Sequence, residues 1–431
     1  MVANVPEPAS GNGLAGRTVY IPQMAYAGAR LMAAAFRSIG IAAEPAPDSD
    51  AETLELGGLH SSGEECLPHK ITLGDFLKVC RRPGADPRKI AFFMPRAPGP
   101  CRFGQYAPYL KQVLDEQGYG DALILSPTSS DGYASIGQGA AEMVRTAWLG
   151  VVCGDLCTRF LLKTRPYETS AGAADAVFQL SVADCCEVLG QRGLSANDRL
   201  IELTKAVTRM RDRYRAVPAR YVKGRPLIGV VGEIFCRLNT FSNDDVIRRI
   251  ERLGGECWLS DITEWVLYTN WSQETDWADE RGRLNLGYLK MRLRSHFQHE
   301  YEQVLMEPVR ADLRGYEEAE DITEVLAGSE KYLPATGALG EMTLSVGKAV
   351  YLYHKGADGV VDISPFTCMN GIVSEAVYPA LSADHDNLPI RSLYFDKVGG
   401  HVERDLEIFL DLARAYQRRK RRPRVYPAYF E

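Results

Sequence analysis

The sequence predicts an α/β protein with two doubly wound, flavodoxin- or Rossmann-like parallel-sheet domains joined by a helical connector. Two observations carry that reading. Short β-rich apolar runs alternate with longer stretches of helical period, and the alternation comes in two blocks separated by an almost wholly helical stretch. A length of 431 residues suits two or three domains at roughly 150 residues each.

Residues 1–16, rich in Pro, Gly and Ser, read as a flexible N terminus, and residues 17–165 as the first α/β domain. TVYIP at 18–22 is a strand, with the Ala-rich run from Met24 to Gly40 as the helix behind it. IAFFMP at 90–95 and ALILSP at 122–127 are further strands, with a helix near 104–118 between them. From about 136 to 217 the pattern is helical, broken near Arg165-Pro166 and Gly190–Gly193, and 166–224 forms the connector. The second domain, 225–431, opens with the strand PLIGVVGE at 226–233. A helix from Asn243, the strand ECWLS and a helix at 262–270 follow, and then a polar helical insertion near 281–328. A helix at 341–355, the strand GVVDIS at 359–364, a helix near 370–381, the strand IRSLYF and a helix near 401–418 complete it. No tandem repeat of 20–50 residues is present.

Composition narrows the function classes. Fifty basic against 56 acidic residues, a net charge of -6, argue against general nucleic-acid affinity. No apolar run approaches about 18 residues, so no membrane helix is expected. The N terminus lacks the basic start and apolar core of a secretory signal, so the expected location is the cytoplasm, where the ten cysteines would be reduced thiols. The basic run RRKRRPR at 418–424 reads as a solvated helix end, with a docking patch for an acidic partner as the sharper alternative.

Several runs imitate functional motifs without their context. GNGLAG at 11–16 precedes the first strand instead of following one, so it is not a dinucleotide fingerprint. Gly347-Lys348 is followed by Ala349 and lies too far from Gly340 for a phosphate-binding loop. His296 and His299 share a helix face without a paired acid, and read as surface residues. Cys185-Cys186, Cys80 and Cys257 read as structural.

Other cysteines stand where ligands bind in open α/β sheets, in the loops beyond strand carboxyl ends. Cys101 follows IAFFMP through RAPGP, Cys368 follows GVVDISPFT, Cys236 follows PLIGVVGEIF, and Cys66 lies in LGGLHSSGEECLPHK before a helix. A helix N terminus favours thiolate and an anionic iron–sulfur cluster. The absence of Cys-x-x-Cys spacing argues against a zinc ribbon and against a ferredoxin-type site, whereas a cluster in an interdomain cleft or plain buried loop cysteines both suit the pattern.

The segments EECLPHKITLGD, FFMPRAPGPCRFGQY, KTRPYE, GVVGEIFCRLNTFSNDDVIRRIERLGGE, TEWVLYTNW and SPFTCMNGIVSEAV resemble the 2-hydroxyacyl-CoA dehydratase-like iron–sulfur proteins, in the branch related to acyl-CoA dehydratase activases. The resemblance runs in order from about residue 18 to 415. It implies a [4Fe–4S] cubane with Cys66, Cys101 and Cys368 as ligands and one iron left open. It also implies electrons delivered by a separate ATP-hydrolysing activase of the actin/Hsp70 type, and a homodimer or a heterodimer with a related subunit. The related double-cubane proteins hold eight irons on six cysteines, and adding Cys153, Cys157 and Cys236 would make six here. Cys236 stands where an aliphatic residue is usual in the family.

Polar groups flank these loops: Glu64, Glu65 and His69, Arg102 and Gln105, and Glu233, Arg237, Asn239 and Asn243. Glu233 is a candidate general base and Arg237 a candidate partner for an anionic substrate group. Asn243 is expected to cap the helix that follows it. The resulting expectation is an oxygen-sensitive iron–sulfur reductase or dehydratase component acting on a 2-hydroxyacyl-CoA-like substrate. The alternatives are a non-catalytic electron-transfer or cluster-carrying subunit, and a relative that has lost the cluster.

Overall fold

The computed structural model describes residues 12–96, 101–128, 133–337, 340–397, 399 and 402–431. Residues 1–11 of the expected flexible N terminus, and 97–100 of the loop before Cys101, lie outside the described residues. The chain forms an α/β protein with two four-stranded all-parallel sheets flanked by helices. It divides into two compact units, one comprising Met1–Gly154, Val182–Glu202 and Leu238–Ser242, the other Asp155–Ser181, Leu203–Arg237 and Asn243–Glu431.

The first unit contains β1 (Thr18–Ile21), α1 (Tyr26–Ser38), β2 (Ala42–Pro45), α2 (Ala51–Leu59), α3 (Leu67–Cys80), β3 (Ile90–Phe93), α4 (Tyr106–Glu116) and β4 (Leu123–Leu125). Its strand order is β2-β1-β3-β4, with Thr18 aligned to both Ala42 and Ile90, and Ala91 to Leu123. All four residues of β3 are buried, as expected of a parallel strand covered on both faces. Ala33, Ala34 and Ala35 are fully buried in α1, and their small side chains let the helix lie close to the sheet. The strand β2 is not announced by its sequence: AAEP has no β-branched residue and is positioned by pairing with β1.

The helical stretch comprises α5 (Ala140–Thr164), α6 (Ala173–Gly190) and α7 (Ala196–Arg215), and the division into units falls within all three. The second unit continues with β5 (Leu227–Gly232), α8 (Ile234–Leu238), α9 (Val246–Arg252), β6 (Glu256–Leu259), α10 (Ile262–Arg281), α11 (Leu286–Met306), α12 (Ile322–Ser329), α13 (Met342–His354), β7 (Gly359–Pro365), α14 (Met369–Asp384), β8 (Ile390–Phe395) and α15 (Val402–Gln417). Its strand order is β6-β5-β7-β8, and every residue of β5 and β7 is buried.

The two units share a device that no residue-level repeat reveals. In each, the third strand is preceded by a helix packed backbone-to-backbone against its predecessor. A Cβ on Gly74 of α3 would lie 1.9 Å from the Thr53 carbonyl oxygen of α2, and one on Gly347 of α13 would lie 2.1 Å from that of Val325 in α12. Each glycine is followed by a buried charged residue, Asp75 or Lys348. Asp75 accepts bonds from Ser49 Oγ and Thr53 Oγ1, both at 2.7 Å, and burial pushes its carboxyl up to about 7. Gly74→Val should therefore force the helices apart and lower stability by about 1–3 kcal/mol or more. An unchanged thermal melt would show that the crossing is not tight.

The C-terminal basic run departs in part from the solvated helix end that its sequence suggests: Arg418, Arg419, Arg421 and Arg422 are exposed, as expected. It lies beyond α15, and two of its cations are buried structural groups: Lys420 pairs with Asp358 at 2.7 Å and Arg424 with Glu256 at 2.8 Å. Tyr316 joins Arg424 and Glu256, and Phe430 packs beside Tyr167. The segment is a strap over its own unit because buried Glu256 and Asp358 need cations.

Candidate functional site

A sheet with the order second-first-third-fourth reverses direction between its first and third strands, and the crevice beyond their carboxyl ends is where such folds bind ligands. Cys101 and Cys368 hold corresponding positions there, each the N-cap residue of the helical segment after the third strand of its sheet. Cys66 is the N-cap residue of α3, the helix before the third strand, and Glu341 occupies that place before α13. The backbone at all three cysteines is extended, the usual state of an N-cap residue. Orphan N–H groups and the positive end of the helix dipole favour an anion at such a position.

In the first unit, Cys66 Sγ lies 2.7 Å from the Tyr106 hydroxyl. Tyr109 donates to the His60 carbonyl at 2.7 Å, and Arg102 donates to that of Glu64. These three bonds tie the loop carrying Cys66 to the segment that Cys101 opens. Glu65 accepts bonds from Ser62 Oγ and the Gly63 N–H, which outweigh its partial burial and hold its carboxyl below the usual range. His69, one turn beyond Cys66, packs its ring 4.8 Å from Tyr106 and 4.9 Å from Tyr109. Burial pushes its pKa down to about 4, and neither ring nitrogen has a hydrogen-bond partner. Gln105 is exposed.

In the second unit, the Glu233 carboxylate accepts from the N–H groups of Phe235 at 3.0 Å and Cys236 at 2.7 Å, capping α8. Burial raises its pKa against those bonds. Arg237 donates to the carbonyls of Gly232 at 2.6 Å and Asp261 at 3.4 Å, leaving Nε buried without a partner. Glu341 accepts the Ile234 N–H at 3.1 Å through one oxygen, while the other, Oε1, is buried and unpartnered. Burial, with Glu233 and Asp362 nearby, pushes Glu341 up to about 8, so it is protonated near neutrality. Burial, then the carboxylates of Glu233 and Glu341, push the Cys368 thiol up to about 12 against the N–H groups of Gly371 and Asn370. Asn370 Oδ1 is also unpartnered. Buried groups of this kind are nearly always bonded, so Glu341, Arg237 and Asn370 offer a bound molecule a donor and acceptors.

Two expected site residues are committed elsewhere. Asn243 does not open the next helix: its amide donates to the carbonyls of Cys236 at 2.9 Å and Arg237 at 3.0 Å, closing α8, and Asp245 is the N-cap of α9. Asn239, in the first unit, donates to the Gln23 carbonyl at 2.7 Å and accepts the Ser242 N–H at 2.8 Å.

All ten cysteines are thiols. Cys153 and Cys157 lie four residues apart on α5 and Cys236 on α8, each fully buried as a core cysteine would be. Cys80 and Cys257 are buried, and burial drives both thiol pKa values upward. Among the described residues, no three His, Cys, Asp or Glu side chains are placed to hold a single metal ion. A cubane is gripped at its corners and spaces its ligands more widely than one ion does, so this observation concerns a mononuclear site. Thiols suit a cluster in chemistry: the first unit offers Cys66, in contact with a tyrosine hydroxyl, and Cys101, and the second unit offers Cys368.

Glu341 is the site residue that sequence reading misses. GALGEMTL carries no motif, and the residue stands out only as the N-cap of the helix before the third strand. Among the described residues no helix is long and apolar enough to cross a membrane. No model of a known protein family matches the chain, and no curated protein matches it.

Proposed function

We propose that this chain is an oxygen-sensitive iron–sulfur reductase or dehydratase-type component, with a [4Fe–4S] cubane ligated by Cys66, Cys101 and Cys368. The observation that carries the reading is that each of these cysteines is the N-cap residue of a helical segment flanking the third strand of its sheet. When bound, the cluster supplies low-potential electrons and one iron open to a small substrate.

The chain's own groups then divide the work. The N–H groups of Gly371 and Asn370 oppose the burial that raises the Cys368 thiol, and the Tyr106 hydroxyl, bonded to the sulfur of Cys66, would tune the potential of a cluster held there. Glu341 holds a proton on a buried carboxyl near neutral pH, as required of a general acid acting on a departing hydroxyl. Glu233 fixes α8 and so the Arg237 guanidinium, whose unpartnered Nε can meet an anionic group. The electrons come from a separate ATP-hydrolysing activase of the actin/Hsp70 type, and the substrate class is a 2-hydroxyacyl-CoA. The single cubane is preferred to an eight-iron double cubane because Cys153, Cys157 and Cys236 are buried within helices.

The test is EPR of anaerobically purified, reduced protein. Addition of a 2-hydroxyacyl-CoA should shift the cluster signal, because the substrate reaches the open iron. An intact cluster whose signal ignores such thioesters would leave the chain as an electron-transfer subunit.

A further inference from the structure

The two units match in the positions of their N-cap residues but not in the residue types found there. Around the third strand of the first sheet, both helical segments begin at a cysteine, Cys66 before the strand and Cys101 after it. Around the third strand of the second sheet, the segment after it begins at Cys368 and the one before it at Glu341. A carboxyl group therefore stands where the first unit has a thiol.

That carboxyl group is built into the surroundings of Cys368. Gly340, at φ +131°, lies so close to Asn370 that a Cβ on it would be 2.4 Å from Oδ1, and Ser374 Oγ lies 3.5 Å from the Met342 carbonyl oxygen. These contacts set the start of α13 against the first turns of α14, which Cys368 opens. The charge of Glu341 accordingly acts on the Cys368 thiol, as does that of Glu233.

Of the three buried acids that act on one another here, Glu233, Asp362 and Glu341, only the last has an oxygen to offer. Both oxygens of Glu233 accept N–H groups, from Phe235 and Cys236, and both of Asp362 accept hydroxyls, from Ser364 and Tyr378. Glu341 is 6% exposed, spends one oxygen on the Ile234 N–H and leaves Oε1 buried without a partner. Leaving such an oxygen unmet is costly, so its place calls for a bound group.

We propose that Glu341 is a further ligand of the cubane, bonding through Oε1 the iron that the three cysteines leave open. The inference rests on the cluster reading. Iron accepts carboxylate oxygen as well as thiolate, and the oxygen donor is the more easily exchanged. The bond belongs to the substrate-free protein. An incoming substrate oxygen replaces it, and the released side chain is then the buried acid of the proposed reaction.

EPR of the reduced, substrate-free protein in water carrying the magnetic isotope of oxygen tests this. The wild-type signal should not broaden, because no water sits on the iron, whereas that of Glu341→Gln should. Brief oxidation should convert the Glu341→Gln cluster to a three-iron form about tenfold faster than the wild-type one. Glu341→Cys, which gives the second unit the first unit's pattern, should match wild type in both measurements. Equal broadening of the wild-type and Glu341→Gln signals, or equal rates of conversion, overturns the proposal and leaves the cluster reading standing. Folded wild-type protein without a cluster overturns both.

Discussion

Replacing Glu341 with glutamine should stabilise the protein at pH 8 relative to pH 5 by on the order of 2–4 kcal/mol. In the folded chain its carboxyl is pushed up to about 8 by burial and by Glu233, whereas an unfolded chain ionises it near its ordinary value of 4.5. Between those values the folded state holds a proton that the unfolded state has released. The stabilising contribution is complete below about 4.5 and is lost as pH rises through about 8. Asp75, pushed up to about 7, and Asp362, pushed up to about 6, act in the same direction, so wild-type stability should decline across this range. Urea midpoints at the two pH values, for wild type and Glu341→Gln, give the comparison. Parallel profiles would show that Glu341 ionises normally, and would remove it as a proton donor.

The second large effect is expected at Lys348. Its ammonium is fully buried and bonds Glu264 at 2.6 Å and Glu318, which also accepts from Trp258 Nε1 at 2.5 Å. Burial opposes the charge, but the two carboxylates hold the lysine above its ordinary pKa. Lys348→Met should cost about 3–5 kcal/mol by chemical denaturation, because it strands two buried acids. Adding Glu264→Gln and Glu318→Gln should recover most of the loss. A Lys348→Met protein within about 1 kcal/mol of wild type would mean that the acids are already protonated.

Much of this was legible in the sequence for physical reasons. The strands β1, β3, β4, β5, β7 and β8 are apolar runs bounded by turn residues, and Cys66, Cys101 and Cys368 stand just before helical periods. Elements fixed by tertiary pairing were not legible: AAEP is a strand only because β1 lies beside it, and Asn243 reads as an N-cap because its bonds back to Cys236 and Arg237 leave no local signal. The residue pair Gly347-Lys348 was rightly set aside as a phosphate loop, yet its role as helix crossing and buried cation follows only from what α12, Glu264 and Glu318 present to it. Lys420 and Arg424 belong to the same class, because their partners Asp358 and Glu256 lie far back in the chain. Glu341 became visible only when the two sheets could be compared strand by strand.

The most direct test of the central claim is the iron and acid-labile sulfide content of anaerobically purified chain, with serine replacing one cysteine at a time. The account predicts about four irons per chain. Replacing Cys66, Cys101 or Cys368 should remove them, whereas replacing Cys153, Cys157, Cys236, Cys80 or Cys257 should not. Folded protein without iron under strict anaerobiosis would contradict it, and about eight irons that also require Cys153, Cys157 and Cys236 would replace the single cubane with a double one.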